Sequence, residues 1–146
     1  MSQERQTDFC NLTFTSAILD SIPANIAVID STGKILAVNL SWQKFADANQ
    51  MPDNALLGIG ANYLDVCRAA SADPNARAAM MGIIDVMRGR RTSFYHEYPC
   101  HSPSEQRWFA LRAMPLIDYP RYVVVAHENI TERISAEIAA RPPKAE

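Results

Sequence analysis

Polar and apolar positions follow two rhythms along this chain, and the changes of rhythm mark its elements. Leu12, Ala17, Ile18 and Ile22 recur at near-helical spacing with Thr13 or Thr15 as a suitable cap, which predicts a short amphipathic helix ending before Pro23. Ile26 to Ile29 is an unbroken apolar run with β-branched residues, the pattern of a strand covered on both faces. Asp30-Ser31-Thr32-Gly33 supplies a turn into a second short strand, Lys34 to Val38. Asn39 follows at once. Its carboxamide is a good N-cap for a helix over Leu40 to Asn49, which sets Trp42 and Phe45 one turn apart on one face.

MPDNALLGIGAN reads as a loop broken by Pro52, Gly58 and Gly60, and Tyr63 to Ala70 as a short helix. Asp73-Pro74 is a start signal, with Asp as N-cap and Pro at the first helical position, for a longer helix running to Gly89. Ala76, Met80, Ile83, Ile84 and Met87 form its apolar stripe. The period then falls to two. Thr92 to Cys100 puts Phe94, His96 and Tyr98 on one face and Ser93, Tyr95 and Glu97 on the other. After the polar turn HSPSEQ, Arg107 to Leu116 carries Phe109, Leu111 and Ala113 on one side and Trp108, Ala110 and Met114 on the other. The turn IDYPR leads to Tyr122 to His127, apolar on both sides, so these three strands are expected to be central. Helices between the second and third strands can cover one sheet face only, so the other needs the opening helix, a partner subunit or both. After Glu128, NITERISAEIAA is predicted to be a helix capped by Asn129, with Glu132 completing a reciprocal capping pattern and Ile130, Ile134 and Ile138 as a narrow stripe.

Composition changes this picture little. A chain of 146 residues with 48% hydrophobic content fits one domain with a core that needs no disulfide or structural metal. The net charge of −2 argues against a nucleic-acid binder, and Arg88, Arg90 and Arg91 sit at a helix end, where cations offset the helix dipole. No apolar run approaches the length of a membrane span and MSQERQTDF lacks the apolar core of a signal peptide, so a cytoplasmic chain without membrane insertion is expected. Cys10, Cys67 and Cys100, odd in number and widely spaced, fit reduced thiols.

The chain carries no hydrolase elbow, phosphate-binding glycine loop or paired zinc-ligand motif, nor a sequence resembling a kinase phosphoacceptor helix, so no enzymatic activity is expected. His96 shares a strand face with Phe94 and Tyr98. It could bind a ligand, ligate haem iron or sense protons; the favoured reading is a neutral core histidine hydrogen-bonded to a backbone carbonyl. Cys100-His101 near His96 invites a metal reading, but strand neighbours diverge and no second cysteine is close, so no metal site is assigned. Met80, Met81 and Met87 could line an adaptable pocket or simply fill the core.

Taken together, Asp30, Gly33 and Asn39 in the hairpin, Gly60-Ala61-Asn62-Tyr63-Leu64-Asp65-Val66-Cys67 in the middle, and Arg107-Trp108-Phe109 and Asn129-Ile130-Thr131-Glu132-Arg133 near the end make the chain resemble the PAS sensor family from about Phe14 to Ser135. The resemblance implies an α+β fold: a five-stranded antiparallel sheet, helices inserted between strands 2 and 3, and helices at both ends. It implies a flexible segment over residues 1–13, a sensor domain over 14–129 and a signalling helix or linker over 130–146. The light-sensing subgroup carries an asparagine-cysteine-arginine run, whereas Asn62 stands five residues before Cys67, so flavin photochemistry is not expected and a small buried thiol is. The cofactor, if any, is unspecified.

The implied role is a sensory or interaction module that binds a small ligand in a cavity and relays the change through its terminal helices to an effector such as a histidine kinase, and a homodimer is the expected assembly. The pocket candidates are Ile26, Val28, Trp42, Phe45, Tyr63, Met80, Ile84, Phe94, His96, Phe109 and Leu111. The relay candidates are Glu128, Asn129, Ile130 and Thr131; Trp108, Ala110 and Met114 are the dimer or helix-packing face. The alternatives are a ligand-free dimerisation module and a haem-binding gas sensor using His96.

Overall fold

The computed structural model describes residues 13–48, 57–101 and 103–142. In chain order these form α1 (residues 13–21), β1 (Asn25–Ile29), β2 (Ile35–Val38), α2 (Leu40–Ala48), α3 (Tyr63–Ala69), α4 (Pro74–Met87), β3 (Phe94–Pro99), β4 (Trp108–Leu116), β5 (Tyr119–Asn129) and α5 (Thr131–Ala140). The strands make one antiparallel sheet in the order β2-β1-β5-β4-β3, the α+β architecture expected, with α2, α3 and α4 between β2 and β3. Cys10, most of the expected flexible segment, the loop part 51–56 and residues 143–146 lie outside the described residues.

Two polar side chains fix the start of the fold. Asp30 Oδ1 accepts from the amides of Thr32 (2.8 Å) and Lys34 (3.0 Å) and from the Thr32 hydroxyl (2.6 Å), which shapes the β1–β2 turn. Gly33 in that turn has φ +95°, and a Cβ there would stand 2.8 Å from Asn62 Oδ1 and from the Leu64 side chain. The empty position lets the Gly33 carbonyl accept from Tyr63 N at 2.8 Å, while Asn62 donates to Thr32 O and caps α3 through Asp65 N. The turn thereby sets where Tyr63 begins its helix.

Asn39 is 3% exposed, and its side chain makes four hydrogen bonds. Its Oδ1 accepts from Ile26 N and Trp42 N, each at 3.0 Å, and its Nδ2 donates to Leu19 O and Ala24 O, each at 2.9 Å. One carboxamide thus caps α2, as the sequence predicts, and ties it to β1 and to the end of α1. At α4, Asp73 caps Asn75 N at 2.9 Å with Pro74 behind it. Further along, Gly82 lies against the Phe94 ring, so close that a Cβ would come within 2.5 Å of it, and α4 rests directly on β3.

The core lies on the sheet face toward α4. Ala27 and Ile29 of β1, Leu111 and Ala113 of β4, and Val123 and Val125 of β5 are buried there with Ile83, Val86 and Trp42. The opposite face, with Ile26, Val28, Val124 and Ala126, is half-buried, and the described side chains of α1 are exposed.

Three expectations about the strands and caps need correction. Among the described residues β3 is an edge strand paired only with β4, and Tyr95 and Glu97 on its outward face are exposed. The last strand begins at Tyr119, because the reversal needs only Ile117 and Asp118, the latter at φ +68°. Pro120 fits there because the β4 ladder shifts register between Pro115 and Leu116, and β1 reaches no further than Val123, so the missing N–H breaks no rung. At α5 the cap position is Ile130, since β5 continues through Asn129; no reciprocal bond with Glu132 forms.

The arginine cluster has local roles: Arg88 closes α4, Arg90 meets Asp85 at 3.5 Å, and Arg91 lies over the Phe94 ring. Among the described residues no helix is long and apolar enough to cross a membrane.

Candidate functional site

Val123, Val125 and His127 alternate onto the inner face of β5, which carries a titratable ring into the interior. The Tyr98 hydroxyl, from β3, lies 2.7 Å from His127 Nδ1. The Tyr63 hydroxyl, from the first residue of α3, lies 2.8 Å from His127 Nε2. One turn after Tyr63 on α3 stands the buried thiol of Cys67. Three separate elements therefore supply one hydrogen-bonded chain, Tyr98, His127 and Tyr63, with Cys67 beside it.

Burial governs the electrostatics of this chain. Desolvation lowers His127 to about 4 and raises Cys67 to about 11. The same cause, first of all, raises both tyrosines above their ordinary range. At neutral pH all four groups are uncharged.

The chain floors a cavity of about 210 Å³. Trp42 and Phe45 of α2 form one wall, Val66 of α3 and Ala70 at its C-cap a second, and Ala76 and Ala79 of α4 a third. Trp42 is fixed by Nε1 donating to Leu57 O at 2.7 Å, and its ring stands 5.8 Å from that of His127. Asp73 and Asn75, at the start of α4, bring polar groups to the rim.

Of the pocket candidates, Trp42, Phe45 and Tyr63 line this cavity. Phe109 lies behind it, edge-on to Phe45 at 5.8 Å and stacked on Tyr98 at 6.1 Å, and Leu111 is fully buried in the core. Phe94 and His96 extend this row of stacked rings along β3 from Tyr98. His96 Nε2 donates to Asn75 Oδ1 at 3.0 Å, so its partner is a side chain where the sequence suggested a backbone carbonyl. Met80 and Ile84 pack on the core outside the cavity. Ile26 and Val28 point away from the buried Ala27 and Ile29, to the other face of the sheet.

The sequence reading did not nominate His127, Tyr98 or Cys67 for the pocket. The signal for His127 was present in the period-two pattern, which sets it in line with Val123 and Val125. Its two tyrosine partners, 64 and 29 residues away in sequence, have no local signature.

At the exit of β5, Asn129 pairs with Phe109, and its Oδ1 accepts from Thr131 N (3.0 Å) and Thr131 Oγ1 (2.6 Å). Thr131 Oγ1 in turn accepts from Trp108 N at 3.0 Å, and Ile130 N donates to Trp108 O at 2.8 Å. Ile130 is buried, while Glu128 is exposed opposite Ala110. Arg133, on the first turn of α5, reaches Glu97 and the Tyr95 hydroxyl on the outward face of β3, and Arg112 covers the Tyr95 ring at 4.5 Å. Ala110 is buried, Trp108 half-buried and Met114 exposed.

His101 Nδ1 accepts from Arg107 N at 3.0 Å and closes the β3–β4 turn. Among the described residues no group of three or more His, Cys, Asp or Glu side chains could hold a metal ion.

Comparison with known proteins agrees with this architecture. The PAS fold family matches residues 19–135, and the chain belongs to that family. Over 124 residues it is 39% identical to an uncharacterized 104.1 kDa protein of Rhodobacter capsulatus, in the hypE 3' region; the match takes in 83% of this chain and 13% of that protein. In three dimensions it is similar to the PAS domain of Bordetella pertussis BvgS, at 17% identity and TM-score 0.57 with 92% of each chain covered. It is also similar to the photoactive yellow protein domain of the sensor histidine kinase Ppr from Rhodospirillum centenum, at 13% identity and TM-score 0.55, with 77% of this chain and 91% of that one covered. PAS domains are signal-sensing modules, in general without catalytic activity of their own.

Proposed function

We propose that residues 14–129 form a cytoplasmic sensor that holds a small ligand in the cavity and passes its occupancy to an effector, such as a histidine kinase, through a signalling helix or linker over 130–146 that begins with α5. The observation that carries this reading is that the cavity floor and the anchor of α5 share two strands. Tyr98 on β3 adjoins Glu97, which holds Arg133, and His127 on β5 is two residues from Asn129, which holds Thr131. A displacement of either strand at the floor moves the base of α5. Glu128, Asn129, Ile130 and Thr131 act as the relay, and Trp108, Ala110 and Met114 belong to the face on which a second copy packs.

A native mass spectrum of the purified chain, taken beside a denaturing one, tests the reading. Added small-molecule mass that disappears on denaturation is the expected result, on a dimer. A dimer with no added mass, even after incubation with a metabolite extract, would shift the function to a dimerisation module without a ligand.

A further inference from the structure

Arginines from three elements converge on a second cavity, which α3 separates from the one floored by His127. Tyr63 and Cys67 of α3 line the first cavity, whereas Leu64 and Arg68, each one residue further on, line the second. Arg88, the C-cap residue of α4, and Arg121, near the start of β5, complete the cationic lining. Because Ile29 of β1 pairs with Val123, Arg121 comes beside Ser31 in the β1–β2 turn. Alternation along β5 sets Arg121 on the same side as Val123 and Val125, the side that faces α4.

Composition does not account for this cluster. The chain has 16 acidic against 14 basic residues, yet no Asp or Glu is among the described residues that line this cavity. The nearby carboxylates are committed elsewhere: Asp65 holds Arg68 at 2.5 Å, Asp85 meets Arg90, and Asp30 Oδ1 accepts from the amides of its turn. Among the described residues no carboxylate pairs with Arg88 or Arg121, Asp118 in the turn before β5 included. The end of α4 has no need of the Arg88 side chain either, since the carbonyls of Ile84, Asp85 and Val86 already accept from the amides of Arg88 to Arg91. Two guanidiniums without counter-charge beside a third attract an anion.

The rest of the lining favours an anion with an organic body. Buried Leu64 and half-buried Ile84 and Met87 give an apolar floor to a cavity of about 460 Å³. A guanidinium grips a phosphate through two parallel N–H···O bonds. A phosphate monoester above its second pKa, about 6, carries nearly the two negative charges that Arg88 and Arg121 leave unmatched.

We propose that this second cavity binds a small phosphate monoester, with the phosphate between Arg88 and Arg121 and the organic group on Leu64, Ile84 and Met87. Calorimetric titration of the full chain at low salt and neutral pH, with phenyl phosphate, inorganic phosphate and phenyl sulfate, tests each part. Phenyl phosphate should bind about tenfold tighter than inorganic phosphate, which lacks the ring; covering about 60 Å² of apolar surface supplies that factor. It should also bind about tenfold tighter than phenyl sulfate, which keeps the ring with one charge fewer. Arg88→Gln and Arg121→Gln should each weaken phenyl phosphate about tenfold. Arg112→Gln removes the same charge from the opposite sheet face and should weaken it less than about twofold. All three positions are exposed, so each variant should keep the parent's unfolding midpoint.

Equal binding of phenyl phosphate and inorganic phosphate overturns the apolar floor, and phenyl sulfate binding as tightly as phenyl phosphate overturns the choice of a dianion. No binding of phenyl phosphate, or equal weakening in Arg112→Gln and the two groove variants, overturns the site itself. None of these outcomes touches the sensing role of the first cavity.

Discussion

On the inner side of β3, Tyr98 reaches His127 at the floor of the cavity; on the outer side, one residue earlier, Glu97 holds Arg133 with Tyr95 at an exposed surface. Both clusters join distant elements through hydrogen bonds, yet their environments give those bonds different meanings. In the inner cluster desolvation keeps every member neutral, and a missing partner leaves a buried polar group unpaired. In the outer cluster full charges meet in water. There the Tyr95 and Arg133 hydrogen bonds lower the Glu97 pKa, and solvent screens most of the attraction. The inner cluster therefore fixes position in the interior, whereas the outer one is a screened tether between the first turn of α5 and β3.

The largest effect should come from another buried polar group, one that does not titrate. Asn39→Ala removes four hydrogen bonds at a 3%-exposed position and should cost about 3 kcal/mol in urea denaturation, nearly constant from pH 5 to 8. A loss within the range of a surface substitution would refute the assignment of Asn39 as the clasp of α1, β1 and α2.

The inner cluster should show a comparable loss that depends on pH. Burial holds His127 at about 4 against 6.5 in the unfolded chain, so the unfolded chain takes up the proton first as pH falls. The contribution is complete above about pH 6.5 and declines toward pH 4, by on the order of 3 kcal/mol. His127→Gln should flatten that part of the profile. An unchanged slope in the variant would assign the acid sensitivity to carboxylates.

Tyr98→Phe deletes one bond and keeps the ring stack, so a loss of about 1 kcal/mol is expected from thermal unfolding. The smallest effect on stability is expected for Arg133→Ala, which should leave the unfolding midpoint unchanged. Amide exchange in α5 should nevertheless become faster than in the parent at low salt. The two should converge at about 1 M salt, where charges are screened beyond about 3 Å. Faster exchange that ignores salt would point to lost packing.

The sequence made the scaffold legible because its signals are local. Asn39 and Asp73 stand directly before the helices they cap, Gly33 sits in its turn, and the alternation of Phe94, His96 and Tyr98 gives the inner face of β3. Residues joined only by the closed sheet were harder to read. β3 looked central because its aromatic residues lie on both faces, although the strand order leaves it at the edge. His96 drew the sequence reading by standing among aromatics, but Asn75 takes its Nε2. His127 closed a strand that read as apolar, and its importance depends on Tyr63 and Tyr98 arriving from α3 and β3. The α5 cap moved by one residue because pairing with Phe109 keeps Asn129 in the sheet.

The two tryptophans fall on opposite sides of the machinery. Trp42 is 3% exposed in the cavity wall, 5.8 Å from the His127 ring, whereas half-buried Trp108 accepts and donates backbone bonds at the root of α5. The protein thus carries two intrinsic fluorophores. If the cavity is the ligand site and α5 the relay, as proposed, emission from Trp42 would report entry, emission from Trp108 would report the response at the exit, and the delay between the two signals would time the relay.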